Sequence, residues 1–296
     1  MAEQQSAELK VLKPHTEHPR LFQSNTYVYP VLSRRSRGVS VGINLNPDKI
    51  CNFDCIYCQV DRRSEAVTRF VATDRLVAEL EQTLDLVTSG ELYSDPHFAT
   101  VPESLRRLND IAFSGDGEPT TFSNIEQIIA AVATIKQRRG LDIVKLVLIT
   151  NASMFHRPVV KKALELLDVN QGEIWAKLDA GTESYFRLVD RTSIPFQRIL
   201  DNLRDAARLR PLVIQSLFMR IEGAGPTPEE IVAFCDRLNE LIAAGGAIDR
   251  VQVYTIARPP TESYATALSE EEVDAIAESV RRRVGVTVEP YYGAAL

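Results

Sequence analysis

The chain has 296 residues, of which 45% are hydrophobic and 25% are charged, and its formal net charge is −6. This balance is ordinary for a globular protein, and the negative charge argues against non-specific binding to nucleic acid. The length can hold two domains, but α/β barrels routinely use ~200–250 residues as a single domain.

The chain shows no signal for export or membrane insertion. Its first ten residues, MAEQQSAELK, are polar and contain no apolar region of a secretory signal. No segment approaches the ~18 consecutive apolar residues of a membrane helix. We therefore expect no membrane contact and a cytoplasmic location, where thiols stay reduced.

Strand-like and helix-like segments alternate along the chain. Apolar residues alternate with small or polar ones over 39–45, and apolar residues recur at helical spacing over 73–88. Six strands are predicted, at 39–45, 111–115, 144–150, 173–179, 212–219 and 251–257. Repeated β-then-α units predict a parallel sheet with right-handed crossovers, either doubly wound or a partial barrel. In both folds ligands bind at the carboxyl ends of the strands.

Helix boundaries also have sequence signals. Capping-box patterns predict three helix starts, at Ser123 with Glu126, Thr227 with Glu230, and Ser269 with Glu272. Gly140 and Gly245 stand where two helices are expected to end.

Three of the four cysteines lie within CNFDCIYC at 51–58, with the spacing C-x3-C-x2-C, on the loop that follows the first strand. Reduced cysteines at such spacing are interpreted as metal ligands rather than disulfide partners. A structural zinc site and a ferredoxin cubane each use four ligands. Three thiolates on a four-iron cluster would leave one iron open for a small molecule. A zinc site completed by a distant residue, or a chance group of inert buried cysteines, remains an alternative.

The fourth cysteine, Cys235, lies in the segment EEIVAFCDRL beside Ile231, Phe234 and Leu238. A cysteine in such an apolar helix face behaves as a small buried hydrophobe. We therefore interpret Cys235 as a core residue rather than a fourth ligand.

CNFDCIYC resembles the signature of the radical S-adenosylmethionine (radical SAM) superfamily, including the aromatic residue before the third cysteine. SGDGEPT at 114–120 resembles the glycine–glutamate motif of that superfamily at the end of the second strand. The resemblance implies an α/β fold, a partial (β/α)6 TIM-like barrel over 39–257. Residues 1–38 would be an N-terminal extension, and 258–296 a C-terminal helix and strand extension. The stretch 33–62 further resembles short Fe–S oxidoreductase-like proteins that are loosely similar to the tRNA wybutosine-synthesis radical enzyme.

The resemblance also implies a chemistry. Cys51, Cys55 and Cys58 would hold one 4Fe–4S cluster, and S-adenosyl-L-methionine would chelate the open iron. An electron from an external donor of the flavodoxin or ferredoxin type would cleave SAM to methionine and a 5′-deoxyadenosyl radical. That radical would abstract hydrogen from an unidentified substrate, a small molecule or RNA. The hypothesis from another class is a non-catalytic Fe–S or zinc protein with a structural or electron-transfer role.

Candidate cofactor-binding residues follow from the same resemblance, and no catalytic residue is assigned. They are Tyr57, Gly115, Gly117, Glu118, Asn151 and Asp179. Gly115 and Gly117 would let the backbone approach closely, and Glu118 would accept hydrogen bonds from the ammonium of SAM. Tyr57 would line the adenine or pack in the core.

Further polar residues fall on strands or beside them. Lys177 and Asp179 share one strand face and should pair, because a lone buried charge is costly. Their pair would contact SAM or substrate, or serve as a structural ion pair. Gln215 and Tyr254 occupy positions that can face the barrel interior, and Arg191 would either meet the SAM carboxylate or lie on the surface.

Arginines flank the first strand and the cysteine loop. They are Arg34, Arg35 and Arg37 before the strand, and Arg62 and Arg63 after the loop. If the N-terminal segment folds over the top of the barrel, the two groups would converge on a negatively charged substrate, because arginine forks suit anions. Otherwise the first group is a solvated charge run.

Overall fold

The computed structural model describes residues 22–60, 65, 68 and 71–293. The strands in this part of the chain are β1 (Val28–Ser33), β2 (Gly38–Ile43), β3 (Leu108–Phe113), β4 (Lys145–Thr150), β5 (Gly172–Lys177), β6 (Leu212–Leu217), β7 (Arg220–Ile221), β8 (Ile248–Tyr254), β9 (Ala265–Thr266) and β10 (Val288–Tyr291). The helices are α1 (Thr73–Ser89), α2 (Ile125–Arg138), α3 (Pro158–Asp168), α4 (Glu183–Asp190), α5 (Phe196–Ala207), α6 (Pro228–Ala243) and α7 (Glu270–Val284).

One curled sheet of eight strands forms the centre of the fold, in the order β1-β2-β3-β4-β5-β6-β8-β10. β1 runs antiparallel to β2, and the neighbours from β2 to β10 are parallel. β7 and β9 pair separately in a small antiparallel ribbon. The predicted partial barrel is confirmed.

The outer face of the sheet is apolar, and helices pack against it. Val39, Val41 and Ile43 of β2 are fully buried in the main core, which also contains Leu76 and Leu80 of α1. The alternate residues of β2 face the barrel interior and include Ser40 and Gly42, which line a cavity. The period-2 pattern thus separates a helix-covered face from a face that surrounds a ligand site.

The helix start predicted at Ser269 and the two helix ends predicted at Gly140 and Gly245 are confirmed, and one predicted start is wrong. Ser269 and Glu272 form a full capping box at the start of α7, and Gly140 and Gly245 have φ of +62° and +84° just after α2 and α6. The box at Ser123 is wrong, because α2 begins after Asn124 and that residue makes no side-chain cap.

The Thr227 box of α6 is half formed. Thr227 Oγ1 accepts from the backbone N–H of Glu230. The carboxylate of Glu230 turns away and accepts instead from Thr182 Oγ1 at 2.6 Å. It therefore joins the start of α6 to the cap of α4, where Thr182 is the capping residue.

The two edges of the sheet approach each other. Arg34, in the turn between β1 and β2, donates from Nη1 to the carbonyl of Tyr292, just after β10, at 2.8 Å. β1 runs opposite to β10, and barrel strands are tilted, so the end of β1 can meet the end of β10. Both edge strands therefore extend the barrel sheet, and the proposed division into a core and two extensions stays a prediction.

An ionic network links the amino-terminal ends of β4, β5 and β8. Glu173 pairs with Lys145 and, at 2.8 Å, with Arg250, and it also accepts from Trp175 Nε1 at 2.9 Å. The cavity lies above this network, toward the carboxyl ends. Within the described ranges, no helix is long and apolar enough to cross a membrane.

Candidate cofactor and substrate site

A cavity of about 350 Å³ opens at the carboxyl ends of the strands and extends into the barrel. Cys51, Cys55 and Cys58 line it, and so do Gly115, Gly117, Glu118 and Asn151 from the ends of β3 and β4. Two motifs that are more than fifty residues apart in sequence therefore share one concave site. This is the placement expected for a ligand site in a parallel α/β sheet.

The cysteine loop is held by backbone hydrogen bonds from two other segments. Ile56 N donates to the carbonyl of Val189 in α4 at 2.9 Å, and Thr261 N donates to the carbonyl of Cys58 at 2.9 Å. Cys58 N also donates to the carbonyl of Cys55 at 2.9 Å, which closes a turn between two of the cysteines. The thiols are thus fixed by the main chain rather than by a disulfide.

Three cysteine thiols line the cavity, and thiolates are the ligands that iron–sulfur clusters use. In the part of the chain that the structure describes, no group of three His, Cys, Asp or Glu side chains is placed to hold one metal ion. Zinc would need its ligands to converge at about 2.0–2.3 Å from one point. A cubane takes each thiolate on a different iron and so requires the sulfurs to surround a larger body. Cys235 is 1% exposed and packs in α6 within the core, as the sequence predicts.

The thiol of Cys55 is held by a carboxylate. Its Sγ donates to Asp190 Oδ1, the last residue of α4, at 3.2 Å. Burial raises the pKa of Cys55 well above its usual value, and the charge of Asp190 adds to the effect. A thiol in this position stays protonated unless a cation replaces its proton, which is what iron binding does.

Glu118 is a buried carboxylate that joins the GDGEPT turn to the end of β4. Its Oε1 accepts from the backbone and hydroxyl of Thr120 and from Thr150 Oγ1, and its Oε2 accepts from Asn151 N at 2.7 Å. Burial raises the pKa of Glu118, and these donors oppose that rise. A carboxylate offers about four acceptor sites, so Oε2, with one donor, can accept one more hydrogen bond.

Gly115 and Gly117 bring two loops into contact. A Cβ on Gly115 would lie 2.1 Å from Asn44 Oδ1, and a Cβ on Gly117 would lie 2.1 Å from the carbonyl of Ile50. Glycine is therefore required so that the GDGEPT turn can pack against the cysteine loop. The close approach is to protein, and direct contact of these backbones with a cofactor stays a prediction.

Asn151 connects the same two regions from β4. Its Nδ2 donates to Asn52 Oδ1 at 2.8 Å, and Asn52 Nδ2 donates to Ser153 Oγ at 2.7 Å. Asn151 also lines the cavity. Its side-chain amide is thus committed to positioning the cysteine loop.

Tyr57, Lys177 and Asp179 form a buried cluster beside the cysteines. Asp179 accepts from the Tyr57 hydroxyl and, at 2.7 Å, from Leu217 N. Lys177 Nζ donates to the Tyr57 hydroxyl at 2.6 Å and lies 3.7 Å from Asp179 Oδ2, so the predicted pair is present. Tyr57 and Lys177 line the cavity, whereas Asp179 is 2% exposed and lies behind them.

The charge state of this cluster follows from its contacts. Burial lowers the pKa of Lys177, but the surrounding groups together, with Asp179 the largest of them, outweigh burial and the pKa is raised overall. Lys177 is therefore an ammonium that faces the cavity. Burial raises the pKa of Tyr57 well above its usual value, so its hydroxyl remains a donor to Asp179.

The remaining sequence candidates divide into two groups. Gln215, Tyr254, Arg34 and Arg35 line the cavity, so the barrel-facing interpretation of the first two is confirmed. Arg191 does not line it. Its guanidinium donates to the carbonyl of Asp54 and to Glu262, both at 2.7 Å. It therefore has a structural role beside the cysteine loop.

The two arginine groups of the sequence have different outcomes. Arg37 is exposed, and its carbonyl accepts from Arg107, so it does not share the cavity with Arg34 and Arg35. Arg62 and Arg63 lie outside the described residues. Arg34 and Arg35 therefore line the cavity, and the convergence of the two groups on one substrate stays a prediction.

Two site residues were missed from the sequence. Asn44 Oδ1 accepts from the backbone of Asn46 and of Asp116 and so connects the end of β2 with the GDGEPT turn. Its signal in the sequence is a pair of asparagines, Asn44 and Asn46, directly after β2. Asp190 gave only a weak signal, since a carboxylate at the end of a helix usually lies in solvent.

Comparison with known proteins identifies the family. A family model described as the radical SAM superfamily matches residues 45–238, about two thirds of the chain. This protein therefore belongs to the radical SAM superfamily.

Curated proteins that resemble this chain share about a quarter of its residues. A UPF0026 protein of Helicobacter pylori (strain J99) is 25% identical over 248 residues, covering 82% of this chain and 70% of that protein. The UPF0026 protein MJ1312 of Methanocaldococcus jannaschii is 28% identical over 246 residues, covering 79% and 64%. A protein named GTPase Obg from Brachyspira hyodysenteriae is 24% identical over 83% of this chain, which spans only 32% of that protein's length.

Solved structures share the fold. A radical SAM methyltransferase from Sphaerobacter thermophilus aligns with a TM-score of 0.62 and 14% identity, over 90% of this chain and 69% of that one. TYW1 with a lysine-pyruvate adduct bound aligns with a TM-score of 0.52 and 13% identity, over 88% and 85%. At these identities the similarity shows the fold alone.

Proposed function

We propose that this protein is a radical SAM enzyme in which Cys51, Cys55 and Cys58 hold one 4Fe–4S cluster. The observation that carries the proposal is the shared cavity, which the three cysteines and the GDGEPT turn line together. A purely structural cluster has no need of a carboxylate with a free acceptor position beside it. The cluster and SAM, when bound, supply the reductive cleavage of SAM that yields methionine and a hydrogen-abstracting 5′-deoxyadenosyl radical.

The residues of the chain would bind and orient SAM. Glu118 Oε2 would accept from the ammonium, and this carboxylate is already fixed by Asn151 N. The Lys177 ammonium would attract the SAM carboxylate or donate to its ribose. Tyr57 would pack beside the adenine, because Asp179 from behind and Lys177 from the cavity wall fix its hydroxyl.

The reductant would be a separate one-electron donor of the flavodoxin or ferredoxin type. The chain has four cysteines, of which three are assigned to one cluster and the fourth is buried in α6. No second set of cysteines is therefore available to relay an electron. The substrate would be a small molecule or RNA.

The test is anaerobic reconstitution with iron and sulfide, followed by dithionite and SAM. The wild-type protein should bind about four irons and release 5′-deoxyadenosine. Cys235→Ala should do the same, and Cys58→Ala should do neither. A wild-type protein that binds four irons but never cleaves SAM would instead support a non-catalytic Fe–S protein.

A further inference from the structure

We infer that Arg35 and Gln215 form a substrate subsite inside the barrel, and that it takes a small anionic molecule that also carries an N–H or O–H donor. Arg35 would hold the carboxylate or phosphate, and Gln215 would accept from the donor. This inference rests on the function proposed above, because it assigns the substrate class of the same cavity.

Gln215 has an unpaired polar atom on the cavity wall. The residue is 0% exposed and lies in register between Lys177 of β5 and Gln252 of β8. Its Nε2 donates to Gln252 Oε1 at 2.8 Å, but its Oε1 has no hydrogen-bond partner among the described residues. Buried amide oxygens in folded proteins are nearly always paired, so this one indicates a missing donor.

Arg35 brings a positive charge to the same cavity. Its guanidinium lies 4.4 Å from the ring centroid of Tyr254, and the side chain is half-buried in the cavity lining. No carboxylate among the described residues forms an ion pair with it. A guanidinium stacked on a ring keeps its N–H edge available, and that edge fits a carboxylate or a phosphate in two-point contact.

Arg34 adds a second positive charge to the cavity lining. It donates to the carbonyl of Tyr292, and within the described ranges it too has no carboxylate partner. Burial lowers the pKa of Arg34 to about 10, and the neighbouring Arg35 charge adds to the shift. Buried arginines elsewhere in the barrel, such as Arg250 with Glu173, are neutralised by a carboxylate. Among the described residues no carboxylate pairs with either of these adjacent arginines, so their charge is available to an anion bound in the cavity.

The spacing of the two groups suits one small molecule. Arg35 stacks on Tyr254, and the amide of Gln215 bonds to Gln252, two residues earlier on β8. Two residues of a strand span about 7 Å. Lys177 Nζ lies 3.3 Å from the Tyr254 hydroxyl and 2.6 Å from that of Tyr57, so this wall continues to the cysteine loop. A molecule held here would lie next to the proposed radical source.

The experiment uses anaerobic, cluster-loaded full-length protein with saturating SAM and no reductant. The probe is a defined mixture of small carboxylates, phosphate esters, their neutral analogues and one short single-stranded RNA. Molecules that bind are identified by ultrafiltration and mass spectrometry, and their affinities are then measured one at a time. The carboxylate and phosphate members decide which anion the subsite takes.

Four variants separate the subsite from general damage. Arg35→Gln should weaken binding at least about tenfold, whereas Arg35→Lys should weaken it less, because the charge remains although the two-point contact is lost. Gln215→Leu should weaken the binding of anions that carry an N–H or O–H donor. It should leave the affinity for anions without such a donor unchanged. Arg37→Gln is the matched control from the same segment, and its affinity should equal that of the wild type. Thermal unfolding of each variant shows whether it is folded.

The inference is overturned if no member of the mixture binds, if neutral members bind as well as anions, if only the RNA binds, or if folded Arg35→Gln retains full affinity. SAM cleavage is measured on the same wild-type preparation. Cleavage without anion binding would overturn the subsite and leave the proposed function standing. Anion binding without SAM cleavage would overturn the proposed function and the substrate role together.

Discussion

The side-chain amide of Asn151 donates to the side-chain oxygen of Asn52 at 2.8 Å, and this bond joins the end of β4 to the cysteine loop. Asn151 N donates at the same time to Glu118 of the GDGEPT turn. The three regions that carry the candidate cofactor residues therefore form one connected unit. Disturbing any of them should affect the others.

Replacing Glu118 tests this connection. Glu118→Ala should lower the free energy of unfolding by about 2–4 kcal/mol, because several buried donors lose their acceptor. The same change should weaken SAM binding by about one to two decades, since an acceptor for its ammonium is removed. Urea unfolding and titration calorimetry measure the two effects.

Thr150→Val is the control for Glu118. It removes one donor to Oε1 and the acceptor of Ala152 N, but leaves Oε2 and Asn151 N in place. Stability should fall by about 1–3 kcal/mol and SAM affinity should not change. Equal SAM affinity in Glu118→Ala and wild type would remove Glu118 from the binding site.

The cysteines give a prediction about the cluster. Cys51→Ala, Cys55→Ala and Cys58→Ala should each lose the iron, because each removes a ligand from a set of three. Cys235→Ala should keep the full iron content and lose only about 1–2 kcal/mol of stability, since it leaves a small cavity in the core. Iron and sulfide analysis decides between them, and iron loss in Cys235→Ala would contradict the three-ligand assignment.

The contact between the two loops can be tested at Gly117. Gly117→Ala places a methyl group 2.1 Å from the carbonyl of Ile50, so the loops must separate. We expect a loss of stability of about 1–3 kcal/mol and reduced iron loading. Gly225→Ala is the matched control, because the nearest atom to its new methyl group is 3.6 Å away. Similar behaviour of the two variants would show that loop contact is unimportant.

The buried carboxyl group of Asp110 should make the stability of the protein depend on pH. Burial raises its pKa in the folded state, although Ser40 opposes the shift by donating to it. A raised pKa means that the folded protein loses stability as pH rises from the unfolded pKa through the folded one. Asp110→Asn should therefore be more stable than wild type at neutral pH, and this gain should disappear at acid pH. A gain that persists unchanged at acid pH would refute the explanation.

Sequence patterns located the interior strands well but the edges less well. Alternation over 39–45 predicted β2, whereas β1 was missed because Pro30 interrupts its pattern. Proline lacks an N–H and is confined largely to edge strands, and β1 is such a strand. The predicted strand at 111–115 starts three residues too late and ends two residues too late, since Ser114 and Gly115 belong to the turn after β3.

The site was predictable where the motif itself carries the chemistry. Their spacing favoured a shared metal site for Cys51, Cys55 and Cys58, and all three line the same cavity. It did not predict that Arg35, before β2, would reach Tyr254 near the end of β8. That contact depends on how the sheet curls and how its strands tilt, and a local pattern does not encode either.

The most direct test of the central claim is the electron paramagnetic resonance spectrum of the dithionite-reduced, reconstituted protein, recorded with and without SAM. A cluster held by three cysteines has one iron open to SAM, so its signal should change shape and g-values when SAM is added. Cys235→Ala should give the same change. A spectrum that SAM leaves unaltered, at full iron content, would mean that no iron is open, and it would contradict the assignment of this cavity as a radical SAM site.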